Sequence, residues 1–114
     1  MSSQYLEDNV SASAKDIHRA LASLQEELEA VDYYHQRSEQ TEDPELRDLL
    51  KHNREEESEH AAMLFEWLRR HAPDFDGNMK KYLFTNGKFS EIEETADEGE
   101  SETDRGDLHL RDLK

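Results

Sequence analysis

Glu57 and His60 stand three residues apart in the middle of an otherwise largely apolar helical stripe. Read at alternating spacings of four and three, the stripe runs Leu46, Leu50, Asn53, Glu57, His60, Leu64, Trp67 and His71. Residues three and four apart share a helix face, so a carboxylate and an imidazole project together between Leu50 and Leu64. Burying an unpaired carboxylate costs roughly several kcal/mol, which is comparable with the whole stability margin of a small domain. Such a seam needs a compensating partner, and a metal ion suits a Glu and a His on one face. No Lys or Arg lies on the central seams to take that place. The chain has no cysteine, so the ligands must be oxygen and imidazole nitrogen, which suits iron, manganese or zinc.

Two long helices are needed to position these groups. Ile17, Leu21, Leu24, Leu28, Val31 and His35 form a 4-3-4-3-4 stripe, with Ala20, Glu27 and Tyr34 along its flank. The spacing predicts an amphipathic helix from Ser13, read as its cap, to near Gln40. Thr41-Glu42-Asp43-Pro44 then marks a restart, with Asp43 as N-cap and Pro44 at the first helical position. The second helix is expected to run to about His71, before Ala72-Pro73. A short connection makes the pair an antiparallel hairpin. Phe75, Met79, Tyr82, Leu83 and Phe84 suggest a short third helix closed by Asn86-Gly87. Phe89 and Ile92 are expected to extend it by a turn or two. The fold class expected is therefore all-α: an antiparallel two-helix hairpin, half of a four-helix bundle, plus a short C-terminal helix.

The same counting places Glu27 opposite Glu57. Glu27 lies about 12 residues before the first helix ends, and Glu57 about 13 after the second begins, so both sit roughly 18–20 Å from the turn. One chain then offers half of a site. Ferritin-like di-iron bundles take a Glu from each of two helices and a Glu-x-x-His from each of the other two. A symmetric pair of chains supplies Glu27, Glu57 and His60 twice, and it also completes the bundle.

Bulk composition points the same way. The 114 residues are 33% hydrophobic and 38% charged, which leaves little material for a core in a lone chain. A net charge of −15 disfavours nucleic acid and anionic membranes as partners and favours cations. No signal peptide or membrane span is expected, and a cytoplasmic protein is the default. The expected organisation is a loose arm over 1–12, a helical domain over 13–92, an acidic disordered linker over 93–107 and an apolar-spaced terminus over 108–114. Trp67, Met63 and Leu64 are expected in the core. His35 and His71 are expected to pack or to face helix C-termini, and His18 and His52 to be solvated.

The segments Glu26 to Tyr34, Asp43 to Leu46, His52 to Arg54, Glu57 to Met63, Glu66 to Arg70 and Tyr82 to Thr85 closely resemble the encapsulated ferritins in order and spacing. These are the half-ferritin cargo proteins of encapsulin nanocompartments. The resemblance covers roughly residues 13 to 92. It implies a ferroxidase that oxidises Fe²⁺ to Fe³⁺ with O₂ or peroxide as acceptor, inside an encapsulin shell that stores the iron. It implies a di-iron centre between two subunits, with Glu27, Glu57 and His60 as metal ligands, where other divalent metals can substitute. It assigns Tyr34 as an accessory tyrosine beside the iron, and Glu26 and Glu29 as an acidic entrance site. It further implies a decameric ring of five dimers. Leu108, Leu110 and Leu113 keep the apolar spacing of the family's shell-targeting peptide. Without the resemblance, two other readings stand beside a metal oxidase: a non-catalytic acidic hairpin adaptor, and a passive metal buffer.

Overall fold

The structure is a computed structural model and describes residues 7–95. The outer half of the expected N-terminal arm, nearly all of the acidic linker and the terminal peptide lie outside the described residues. Helices α1 (Ala12–Gln40), α2 (Pro44–His71) and α3 (Pro73–Tyr82) follow one another, and residues 89–95 are again helical. No strand occurs among the described residues. The chain is all-α, as the spacing predicts. No helix of the described residues is long and apolar enough to cross a membrane.

The start of α1 differs by two residues from expectation. Ser11, not Ser13, is the N-cap: its hydroxyl accepts a hydrogen bond from the Ala14 N–H at 3.1 Å. That satisfies one of the amides left free at a helix start. The connection to α2 follows the sequence reading closely. Asp43 accepts from the Glu45 N–H at 3.3 Å, and Pro44 opens the helix. Arg47 closes the turn from the other side. Its guanidinium donates to the Ser38 carbonyl at 3.2 Å and to the Thr41 carbonyl, two acceptors left over at the end of α1.

The described residues fall into two compact units, one ending at Trp67 and the other beginning at Leu68. In the first, the buried apolar residues are Ala20, Ala22, Leu24 and Ala61. Three of these four are alanines, whose small side chains let helix backbones approach closely. Large apolar residues are left out of this small interior. Leu28, Leu46, Leu49, Met63 and Phe65 are all exposed, with Met63 at 58%. Met63 is therefore not core. At 100° per residue it lies on the flank of the seam, about 100° from Leu64. Leu64 and Trp67 are half-buried.

In the second unit Leu68 and Ala72 are buried, Leu68 completely. Arg69 donates to Asp76 at 2.6 Å, and Lys80 sits 3.1 Å from the same carboxylate. Those two cations, Arg69 first, hold Asp76 below the usual carboxylate range. Helix α3 ends at Tyr82, four residues before the expected Asn86-Gly87 stop. Leu83 is extended and Phe84 takes the left-handed conformation at φ 62°, while the Thr85 hydroxyl donates to the Tyr82 carbonyl at 2.6 Å. The helix end is thus satisfied by a hydroxyl, and Gly87 has no positive φ. Phe89 and Ile92 belong to a separate helical segment that also takes in residues 93–95, the start of the expected linker. Within it Phe89 meets Tyr82 edge to face at 5.9 Å between ring centroids.

Candidate metal centre

The loop of three residues between α1 and α2 makes them a hairpin, and the hairpin sets the register of its side chains. Glu27 lies thirteen residues before Gln40 and Glu57 thirteen after Pro44. At 1.5 Å per residue both are roughly 20 Å from the turn. The two carboxylates therefore meet at one level, and His60, one turn beyond Glu57 on α2, joins them. His60 Nδ1 is 3.6 Å from Glu27 Oε2 and 3.6 Å from Glu57 Oε2. One potential ligand atom from each residue falls within 4.8 Å of the others. No other group of three or more His, Cys, Asp or Glu side chains of this kind occurs among the described residues.

The trio is half-buried. Side-chain exposure is 24% for Glu27, 25% for Glu57 and 43% for His60. Glu27 Oε2 is shielded from solvent and has no hydrogen-bond partner. A buried acceptor without a donor costs roughly 1–3 kcal/mol, and more when charged, so this oxygen marks a place prepared for something else. Glu27 is also held above the ordinary carboxylate range. The Glu57 carboxyl within hydrogen-bonding reach is the main cause, followed by burial and the negative charge of Glu57, with His60 opposing. Two crowded carboxylates and an imidazole, with no arginine or lysine ion-paired to them among the described residues, form a donor set that fits a divalent cation such as iron.

The remaining predicted site residues lie elsewhere. Tyr34 is half-buried and stands two turns after Glu27, about 10.5 Å along α1. The Arg37 guanidinium packs over both tyrosine faces, 5.7 Å from the Tyr33 centroid and 5.9 Å from that of Tyr34. Glu26 and Glu29 are exposed and outside the trio, on either side of Glu27. His35 is exposed rather than packed, with Nε2 3.9 Å from Glu39. His52, also exposed, pairs with Glu56 at 3.3 Å.

Three arginines were invisible to the apolar stripes. Arg37 lies three and four residues after the two tyrosines, a spacing that flags stacking on a helix. Arg47 lies one turn inside α2, where it can reach back to the end of α1. Arg54 carries no such local signal, and its Nε is shielded from solvent without a partner.

An all-helical hairpin carrying a Glu, Glu, His cluster at one level is the architecture of a ferritin-like protein. The chain belongs to the EncFtn-like family, whose pattern matches residues 3–86. It is 50% identical over 115 residues to a ferritin-like protein of Thermotoga maritima, covering 99% of this chain and all of that one. It is 54% identical over 84 residues to the encapsulated ferritin-like protein of Rhodospirillum rubrum, covering 72% of this chain and 60% of the relative. The crystal structure of protein ne0167 from Nitrosomonas europaea superposes with a TM-score of 0.72 at 53% identity, covering 75% of this chain and 97% of that one.

Proposed function

We propose that the chain is a ferroxidase whose substrate is Fe²⁺ and whose centre forms where two copies meet face to face. The observation that carries this reading is the Glu27, Glu57 and His60 cluster, with its ligand atoms within 4.8 Å of one another. Two further features support a paired face. The cluster is half-buried instead of enclosed, and two exposed apolar side chains lie near it in the chain, Leu28 directly after Glu27 and Met63 one turn after His60. A second copy brings three more ligands and covers that apolar surface.

Within such a centre the residues have distinct tasks. Glu27 and Glu57 supply negative charge that balances two divalent cations, and the orphaned Glu27 Oε2 gains a partner. His60 offers a neutral nitrogen lone pair and fixes ligand spacing through its position one turn after Glu57. Glu26 and Glu29 extend the acidic surface beside Glu27 and draw cations toward it. Tyr34, with Arg37 over its ring, lies two turns from Glu27 on the turn side, and its role as an accessory tyrosine rests on the resemblance. Iron bound there supplies the electron transfer to O₂ or peroxide.

The reading extends to assembly and location. The name of the Rhodospirillum rubrum relative supports residence inside an encapsulin shell. Docking through the C-terminal Leu108, Leu110 and Leu113, and a ring of five dimers as the working form, rest on the sequence resemblance alone. Aerobic addition of Fe²⁺, followed by near-ultraviolet absorbance, tests the chemistry. Catalytic oxidation by the wild type, with most of it removed in Glu57→Ala and His60→Ala, is expected. Wild-type rates in Glu57→Ala would refute the assignment. Stoichiometric binding without turnover would identify a metal buffer, and no metal-dependent change would identify an adaptor. Sedimentation with and without metal reports the pairing.

A further inference from the structure

The first unit holds a second polar cleft, near the turn of the hairpin, with a volume of about 480 Å³. Arg47, Lys51 and Arg54 line it at positions i, i+4 and i+7 of α2, so they share one face. His35 of α1 lines it as well. Three cations on one cleft stand out in a chain of net charge −15. Glu39 and Glu55 also line the cleft and offset part of that charge, but Glu39 sits 3.9 Å from His35, and no ion pair joins Lys51 or Arg54 to a carboxylate among the described residues.

The cations differ in what they have left to offer. Arg47 is tied to the Ser38 and Thr41 carbonyls, which fixes its guanidinium in place. Lys51 is exposed and unpaired. Arg54 is half-buried, and its Nε is shielded from solvent with nothing to donate to. With Nε shielded, an anion in the cleft would meet the outer guanidinium nitrogens of Arg54, whose planar fork matches two oxygens of an oxyanion. Lys51 adds a point charge one turn away.

We propose that this cleft binds a small tetrahedral oxyanion of the phosphate class, held by Arg54 and Lys51 in the field of Arg47. The site is separate from the carboxylate–imidazole trio and does not depend on what that trio holds. It is nevertheless close by, since Arg54 precedes Glu57 by a single turn of α2. An anion held there stands beside the acidic cluster without competing for its ligands.

Inorganic phosphate titrated into the metal-free full chain at low ionic strength, followed by calorimetry and ³¹P NMR, tests the proposal. One saturable site per chain is expected. Arg54→Gln and Lys51→Gln should each weaken binding at least tenfold, whereas Lys88→Gln, outside the cleft, should change it less than twofold. Arg54→Lys keeps the charge but loses the fork, and it should fall between. Circular dichroism checks that each variant is folded, and the exposed Lys51 carries the test if Arg54→Gln is not. Absence of saturable binding overturns the proposal, as does equal weakening by Lys88→Gln. Unchanged phosphate affinity in Arg54→Gln with altered sedimentation would assign Arg54 to a contact between copies and would also overturn it.

Discussion

Replacing Glu27 by Gln keeps the shape of the side chain and removes its charge, which separates the metal-holding role from the packing role. In the metal-free chain Glu27 carries a penalty for ionising, because Glu57 and burial hold its carboxyl above the ordinary range. Gln carries no such penalty, and its amide can donate to Glu57. The metal-free variant is therefore expected to melt at the wild-type temperature or above it. The metal-bound protein behaves oppositely. A ligand present at 100 times its dissociation constant stabilises the fold by about 2.7 kcal/mol. For a domain of this size about 1 kcal/mol moves Tm by roughly 4–8 °C, so the wild type should gain on the order of 10 °C or more. If the lost carboxylate weakens binding about a hundredfold, the same metal concentration stabilises by only about 0.4 kcal/mol. The shift then shrinks to roughly 2–3 °C. Thermal melts of both proteins with and without Fe²⁺ under anaerobic conditions, or with a redox-inert divalent cation, give the four numbers needed. A variant that keeps the full metal-dependent shift would refute Glu27 as a ligand. A variant that melts far below the wild type without metal would show that Glu27 is structural.

Metal affinity should fall as pH drops into the range where Glu27 keeps its proton. Its folded-state pKa is raised, so its contribution to metal-free stability is present at low pH and lost as pH rises through that value. Metal binding displaces the proton, so calorimetry across buffers of different ionisation enthalpy should register proton release that grows toward lower pH. Arg47→Met should lower stability by about 1–3 kcal/mol, since two carbonyls at the end of α1 lose their donor; urea melts check this. Leu68→Ala should cost about 2–5 kcal/mol, because Leu68 is fully buried, and an unchanged urea midpoint would contradict that placement.

The parts of the hairpin that were legible in the sequence are those fixed by local chemistry. Asp43-Pro44 announces the start of α2 because proline tolerates only the first turn and aspartate accepts from the free amides there. The level of Glu27 and Glu57 follows from counting, since helix rise is constant. Ser11 and Ser13 could not be told apart as caps, as both are serines beside alanines. The end of α3 was misplaced because Asn86-Gly87 is a strong stop signal, yet Phe84 takes the left-handed position. The periodic stripes also could not reveal that the lone hairpin buries mainly alanine on its inner face. Met63 looks like core by type, but its angle on the helix turns it about 100° from Leu64, and Leu28 is 46% exposed although it shares the stripe of the buried Leu24. Arg47 and Arg54 carry no periodic signal, because hydrogen bonds across a turn, or their absence, do not follow helix spacing.

Equal arm lengths on the two sides of the turn have a consequence for insertions and deletions. Removing one residue between Glu27 and Gln40 rotates everything before it by about 100° and slides it about 1.5 Å, swinging that carboxylate away from its counterparts. Matching indels in both arms would change the depth of the cluster yet still spoil its angular alignment unless they came in near-whole turns. The three linking residues Thr41, Glu42 and Asp43 lie outside this gearing, so substitutions there alter stability and leave the ligand alignment intact. Length variation among functional relatives should therefore gather outside the span from Glu27 to His60, with that interval kept as a fixed gauge.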